Sequence, residues 1–185
     1  KDIPDNAKFS LSINAEFNAN PGEGFNFEAR DLTLPFSLKG ASMNVYAEGV
    51  NKATAILKRG GKSYITGGPA DCGVVEISYP SGDNVEDISK GTYDRLTLRG
   101  EAATKNVITK MTMTGKKSGD SEGEIVFALD GIKHGIATII ISIDGSEALS
   151  RQITIGSPSS GGSNGGSSST GSPGGPSGPG DSAPP

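Results

Sequence analysis

Three carboxylates in a short polar segment are the best candidates for binding a metal ion. Asp120, Glu122 and Glu124 occupy alternate positions in Asp-Ser-Glu-Gly-Glu, so in an extended chain their side chains would share one face. Carboxylate oxygens suit Ca²⁺, although the glycine is misplaced for an EF-hand loop. A solvated acidic loop is the alternative interpretation. We therefore expect no cofactor, with Ca²⁺ as the one exception to test.

The other residues that could carry chemistry occur singly or out of pattern. His134 is the only histidine, and Cys72 is the only cysteine, which we expect to be half-buried at the start of a strand. Gly61-Lys62-Ser63 resembles the end of a phosphate-binding loop, but Ile56 stands where that motif needs its first glycine. No Gly-x-Ser-x-Gly elbow is present. The sequence predicts a protein that is not an enzyme.

Composition excludes several classes of partner. The net charge is −4, with 17 basic and 21 acidic residues, so there is no basic excess of the kind that nucleic-acid binding requires. The longest apolar run, 136–143, is too short to span a bilayer as a helix, which needs about 20 residues. The absence of Trp disfavours sugar stacking.

A change in composition after residue 156 divides the chain. Residues 157–185 hold 9 Gly, 10 Ser and 6 Pro, and Ala183 is their only apolar residue. Such a segment cannot bury enough apolar surface to offset the entropy of ordering it. We predict a folded body over 1–156 and a disordered Ser/Gly/Pro-rich linker or tail over 157–185.

The clearest strand signal lies near the start of the sequence, where polar and apolar residues alternate from Lys8 to Asn18. Period-two alternation puts all the apolar side chains on one face of a strand. Such a strand can bury that face in its own sandwich or complete the open sheet of a neighbouring subunit. The residues that would form this interface are Phe9, Leu11, Ile13, Ala15 and Phe17.

The next segments also alternate, with a change of parity after Arg30-Asp31 that requires a bulge or a turn. Pro35 follows inside the second run and predicts an edge strand, because proline removes a ladder hydrogen bond. Asp83-Asn84-Val85-Glu86 predicts the start of a short helix ending near Gly91. Asp144-Gly145 predicts a hairpin turn.

Ten or eleven short strands separated by glycine-rich turns are typical of an all-β protein. We predict an antiparallel β-sandwich, Ig-like or jelly-roll-like, with one short helix and the disordered tail.

The segment from Gly135 to Ile155 resembles the closing strands of bacterial Ig-like and PKD-like surface modules. It contains a glycine, an apolar strand broken by Thr138, the Asp144-Gly145 turn and a last strand ending Thr154-Ile155. The resemblance implies a non-catalytic spacer or adhesive module on a secreted or cell-surface protein. It implies no functional residue.

Two functions follow as hypotheses. The first is an extracellular structural subunit or spacer of a bacterial surface structure, which associates with itself or with a neighbouring surface protein and polymerises into a fibre by strand exchange. The second is a carbohydrate-binding or adhesive module tethered by the flexible linker.

Overall fold

The chain folds into twelve β-strands without a helix over the residues that the structure, a computed structural model, describes: 3–59, 61–79, 86–119 and 123–156. The predicted tail lies outside these ranges. The described residues accordingly include no helix that could cross a bilayer. The strands are β1 (Lys8–Asn18), β2 (Gly24–Leu34), β3 (Ser37–Glu48), β4 (Val50–Arg59), β5 (Lys62–Pro69), β6 (Val74–Tyr79), β7 (Glu86–Ile88), β8 (Gly91–Ala102), β9 (Asn106–Ser118), β10 (Val126–Asp130), β11 (Gly135–Ile143) and β12 (Ser146–Ile155).

Two antiparallel sheets pack face to face, which confirms the predicted all-β sandwich. Sheet 1 has the order β12-β11-β1-β9-β3-β6, and β7 also pairs with β3. Sheet 2 has the order β10-β2-β8-β4-β5. Aromatic side chains connect the sheets, since the rings of Phe17 in β1 and Phe25 in β2 meet edge to face with centroids 5.4 Å apart.

The amphipathic segment Lys8–Asn18 forms β1 with the predicted bounds. It lies in the middle of sheet 1, paired along its length with β9 on one side and β11 on the other. Because the strand alternates, all five of its apolar side chains enter the core and are almost fully buried. Phe9 also packs edge to face against Phe36, with ring centroids 5.0 Å apart.

The predicted change of parity in the second segment is a bulge in β2. Asp31 has a φ of 53°, and the pairing of β2 with β10 shifts register at this level. The residues of β2 that face the core are Phe27 and Ala29 before the bulge and Leu32 and Leu34 after it. The predicted edge strand at Pro35 is wrong, because Pro35 lies in the bend after β2 and needs no ladder bond. β2 itself lies between β10 and β8.

The predicted short helix is also wrong where the structure describes it. Residues 80–85 lie outside the described ranges, but Glu86–Ile88 forms β7, which pairs with β3. The carboxylate of Asp87 accepts a hydrogen bond from the backbone N–H of Gly40 at 3.0 Å. A helix of one or two turns has little stability of its own, so contacts with β3 override the local capping signal.

Two tight two-residue turns in the described part of the chain have positive φ at both central residues, as type I′ turns require. Asp144-Gly145 joins β11 to β12 as predicted, with φ values of 50° and 81°. The other is Cys72-Gly73, in the connection from β5 of sheet 2 to β6 of sheet 1, where it joins the bridged residues Asp71 and Val74 with φ values of 50° and 82°. Cys72 is exposed in this turn rather than half-buried as predicted, because it lies in the connection between the two sheets and not at the start of a strand.

Substituting Cys72 with Asn is expected to stabilise the protein by about 0.5 kcal/mol, since Asn tolerates positive φ better than Cys does. Urea unfolding of the purified variant would measure the gain. Cys72→Ser is the matched control, because it removes the thiol without favouring positive φ. An equal change in both variants would show that the thiol, not the backbone, determines the effect.

Candidate functional site

One side of the sandwich is open between the edge strands of its two sheets. β12 ends sheet 1 and β10 ends sheet 2 on this side. Between them lies a groove with a volume of about 580 Å³, which we call the edge groove. Apolar side chains from three strands dominate its lining: Phe127, Leu129, Ile139, Ile141, Leu149 and Ile153.

The inner face of β12 is the least covered part of the groove. Residues directly opposite in an antiparallel pair share a face, and Leu149 and Ile153 lie opposite Ile141 and Ala137 of β11. Ala137 is fully buried between the sheets. Leu149 nevertheless remains 48% exposed and Ile153 36% exposed. The described strands of sheet 2 therefore leave this face of β12 partly uncovered.

The opposite wall of the edge groove, β10, is fixed to sheet 2 by a charged network on the outer face. Glu28 of β2, only 4% exposed, accepts hydrogen bonds from Asn26 at 2.8 Å and from Arg30 Nε at 2.7 Å. Arg95 of β8 reaches the same carboxylate at 3.4 Å, and Arg30 Nη2 lies 2.9 Å from Asp130 Oδ2 of β10. Burial opposes ionisation of Glu28, but the hydrogen bonds and the two cations outweigh it and lower its pKa.

The outer edge of β10, which pairs with no other strand in the described ranges, completes the site. A strand at the edge of a sheet presents backbone N–H and C=O groups that can pair with another chain. Val126 of β10 is 54% exposed beside this edge. The edge groove therefore combines a backbone ladder with apolar pockets, the two components of β-strand addition.

A smaller pocket of about 110 Å³ lies at the other side of the sandwich. Three of the four tyrosines, Tyr64, Tyr79 and Tyr93, line it. The rings of Tyr64 and Tyr79 have centroids 5.5 Å apart, and the Tyr79 hydroxyl donates to Glu86 Oε2 at 3.2 Å. Burial and the charge of Glu86 raise the pKa of Tyr79. Aromatic faces beside a carboxylate can contact a small polar ligand.

The five residues predicted as an interface on β1 lie together, but in the core of their own chain. Exchange of β1 with another subunit would require two ladders, to β9 and to β11, to be broken and formed again. The prediction that these residues bind a neighbour by strand exchange stays a prediction.

The predicted calcium ligands are only partly described. Glu124 is exposed just before β10, whereas Asp120 and Glu122 lie outside the described residues. Within the described ranges no group of three or more His, Cys, Asp or Glu residues is arranged to hold a metal ion. The prediction of a calcium site at Asp120, Glu122 and Glu124 stays a prediction.

The single histidine lies in the loop between β10 and β11. His134 is exposed, and its Nδ1 contacts the carbonyl oxygen of Gly156. This contact connects the loop to the end of β12 and involves neither a carboxylate nor a hydroxyl group. The geometry assigns His134 a structural contact at the end of the edge groove.

No protein-family model, curated protein or solved structure matches this chain in the comparisons made. The resemblance of 135–155 to Ig-like and PKD-like modules therefore stays a prediction.

Proposed function

We propose that this chain is a non-catalytic structural subunit or spacer of an extracellular, cell-surface structure of a bacterium, joined to its neighbour by strand addition at the edge groove. The observation that carries the proposal is the uncovered apolar inner face of β12. A sheet buries its apolar face against another element, and contiguous exposed apolar patches mark interaction sites. The composition of the tail and the resemblance of 135–155 support the surface location.

The geometry favours addition of a single strand over contact between two complete sandwiches. β1 of sheet 1 faces β2 of sheet 2 through Phe17 and Phe25. The next strand outward in each sheet, β11 and β10, lines the edge groove. β12 therefore extends one strand beyond sheet 2. A second sandwich that approached β10 would bring its own facing sheet against β12. One extended segment fits without that collision.

The neighbour is either a second copy or another surface protein. Copies can also join away from the groove: exchange of β1 would place Phe9, Leu11 and Ile13 between β9 and β11 of the next subunit, and such head-to-tail contacts do not close and produce a fibre. Negative-stain microscopy of the purified chain separates these cases, because copies that join one another form filaments and a chain that needs another partner does not.

The test of the proposed function uses an epitope-tagged chain in its own cells. We expect to find the tagged wild-type protein in the cell-surface structure. The tagged Leu149→Lys variant should be lost from it, because a lysine on the inner face of β12 blocks the apolar contact. Ile65→Lys is the matched control, since Ile65 is 62% exposed on β5, at the opposite edge. An intracellular location, or equal incorporation of both variants, would contradict the proposal.

The smaller pocket lined by Tyr64, Tyr79 and Tyr93 supports glycan binding as a second candidate function. Tyr64 and Tyr79 offer aromatic faces beside Glu86, and sugar rings stack on such faces while carboxylates accept their hydroxyl hydrogen bonds. We expect a glycan array to show binding that Tyr64→Ala abolishes and Tyr46→Ala, a tyrosine outside the pocket, leaves intact. An array without any binding would exclude this candidate.

A further inference from the structure

We propose that the edge groove selects an extended segment of a partner protein with apolar residues at alternate positions and one carboxylate among them, placed to meet Arg151. The inference rests on the proposed strand addition and specifies the chemistry of the strand that is added.

Arg151 occupies the middle of the apolar face that the added strand would cover. It lies opposite Ile139 on β11, between Leu149 and Ile153 along β12, and it lines the edge groove with them. None of the ion pairs within the described residues includes Arg151. Exposed, this guanidinium is solvated by water.

An added strand that covers Arg151 would remove the water that solvates its guanidinium. A cation that loses its water without gaining a partner is strongly unfavourable. A guanidinium offers several N–H donors in a planar fork that a carboxylate accepts in pairs, so Asp or Glu compensates the loss best. The occupant of the groove must therefore carry a carboxylate on its inner face, with apolar residues on either side to cover Leu149 and Ile153.

The added strand pairs with β10 rather than with β12. A strand added to β12 would extend sheet 1 further beyond sheet 2 and leave more apolar face uncovered. A strand added to β10 continues sheet 2 over β12 and buries the inner faces of both edge strands. The ladder therefore forms along Val126–Asp130, and side chains from the added strand point at Arg151.

Two segments of this chain in a second copy lack the required pattern. The tail 157–185 has one carboxylate, Asp181, but only one apolar residue, Ala183. The apolar face of β1 has no carboxylate, and its side chains already fill the core. Neither segment supplies the pattern, so the inference assigns the partner segment to another protein.

Arg151 has one competing explanation. Inward-pointing charges on edge strands prevent aggregation between sheets, and a residue of that kind repels apolar strands without recognising an acidic one. The two explanations differ in one measurable property, the preference of the groove for a carboxylate over an ammonium group.

The experiment measures binding of fluorescent synthetic peptides to the full chain by anisotropy. The probe has ten residues, the length of β12, with Thr and Val alternating and one central Val replaced by Glu. The control probe has Lys at that position. We expect the Lys probe to bind at least about tenfold more weakly, about 1.4 kcal/mol, and Arg151→Glu to reverse the preference. Gln152→Glu is the control for position, since it introduces a carboxylate at the neighbouring residue on the outer face of β12.

Hydrogen exchange locates the bound probe. We expect new protection of the amides of Val126–Asp130. Equal binding of both probes, an unchanged preference in Arg151→Glu, no binding of the Glu probe, or protection of β12 instead of β10 would each overturn the inference. These binding results do not depend on where the protein is located in the cell. The proposed structural function can therefore hold even where the proposed preference of the groove for a carboxylate fails.

Discussion

A carboxylate at the centre of β1, introduced by Ile13→Asp, is expected to abolish the folded state. Ile13 is 2% exposed and lies between Ile139 of β11 and Met111 of β9 on the inner face of sheet 1. An ionised carboxylate there would lack both water and a cation. The expected loss exceeds about 5 kcal/mol, which is comparable with the whole stability of a domain. Far-ultraviolet circular dichroism and amide NMR spectra would show an unfolded chain.

The matched control is the adjacent substitution Asn14→Asp. Asn14 points to the outer face of the same strand, opposite Thr138 and Lys110. Its Oδ1 accepts a hydrogen bond from Ser12 Oγ at 3.1 Å, which a carboxylate oxygen can also accept. We expect a change within about 0.5 kcal/mol. A folded Ile13→Asp chain would contradict the burial of this side chain between β9 and β11.

Local periodicity explains why much of the fold could be predicted from the sequence. β1 alternates over its full length, and the turn at Asp144-Gly145 contains residues that tolerate positive φ. The bulge at Asp31 was also predictable, because apolar residues change parity there. Each of these signals depends only on neighbours in the sequence.

The failures share a different cause. Pro35 predicts an edge strand and Glu86 part of a helix, but the neighbours of β2 and the pairing of β7 with β3 are set by residues far away in the sequence. The edge groove is hidden for the same reason. Leu149, Arg151 and Ile153 alternate as in an ordinary strand, and nothing local shows that sheet 2 ends one strand too early to cover them.

Substituting Glu28 with Ala is expected to destabilise the protein by about 2 kcal/mol, because a buried charged acceptor is removed from several donors. Arg30 and Arg95 remain 42% exposed, so water compensates part of the loss. The control is Glu101→Ala on β8, which removes a more exposed ion pair with Lys52 and a hydrogen bond from Asn51 and should destabilise the protein much less. Urea unfolding at neutral pH measures both changes.

The pH dependence separates the charge of Glu28 from its packing. Its pKa in the folded protein lies below the ordinary value of 4.5, so its ionised form stabilises the fold above that pH, and the contribution is lost as the pH falls through the folded-state pKa. Glu28→Gln keeps the size of the side chain but cannot ionise. The difference in unfolding free energy between wild type and Glu28→Gln is therefore expected to shrink below about pH 4.5.

The same network connects this titration to the edge groove. Arg30 contacts both Glu28 and Asp130, so weakening the Glu28 contact should loosen β10 before the rest of sheet 2. We expect Glu28→Gln, or acid, to accelerate amide exchange at Val126–Asp130 more than in β8. Two results would contradict this: a difference in unfolding free energy between wild type and Glu28→Gln that stays constant with pH, or amide exchange that accelerates uniformly across sheet 2. Either would show that Glu28 stabilises sheet 2 by packing alone and does not control β10, the strand on which strand addition depends.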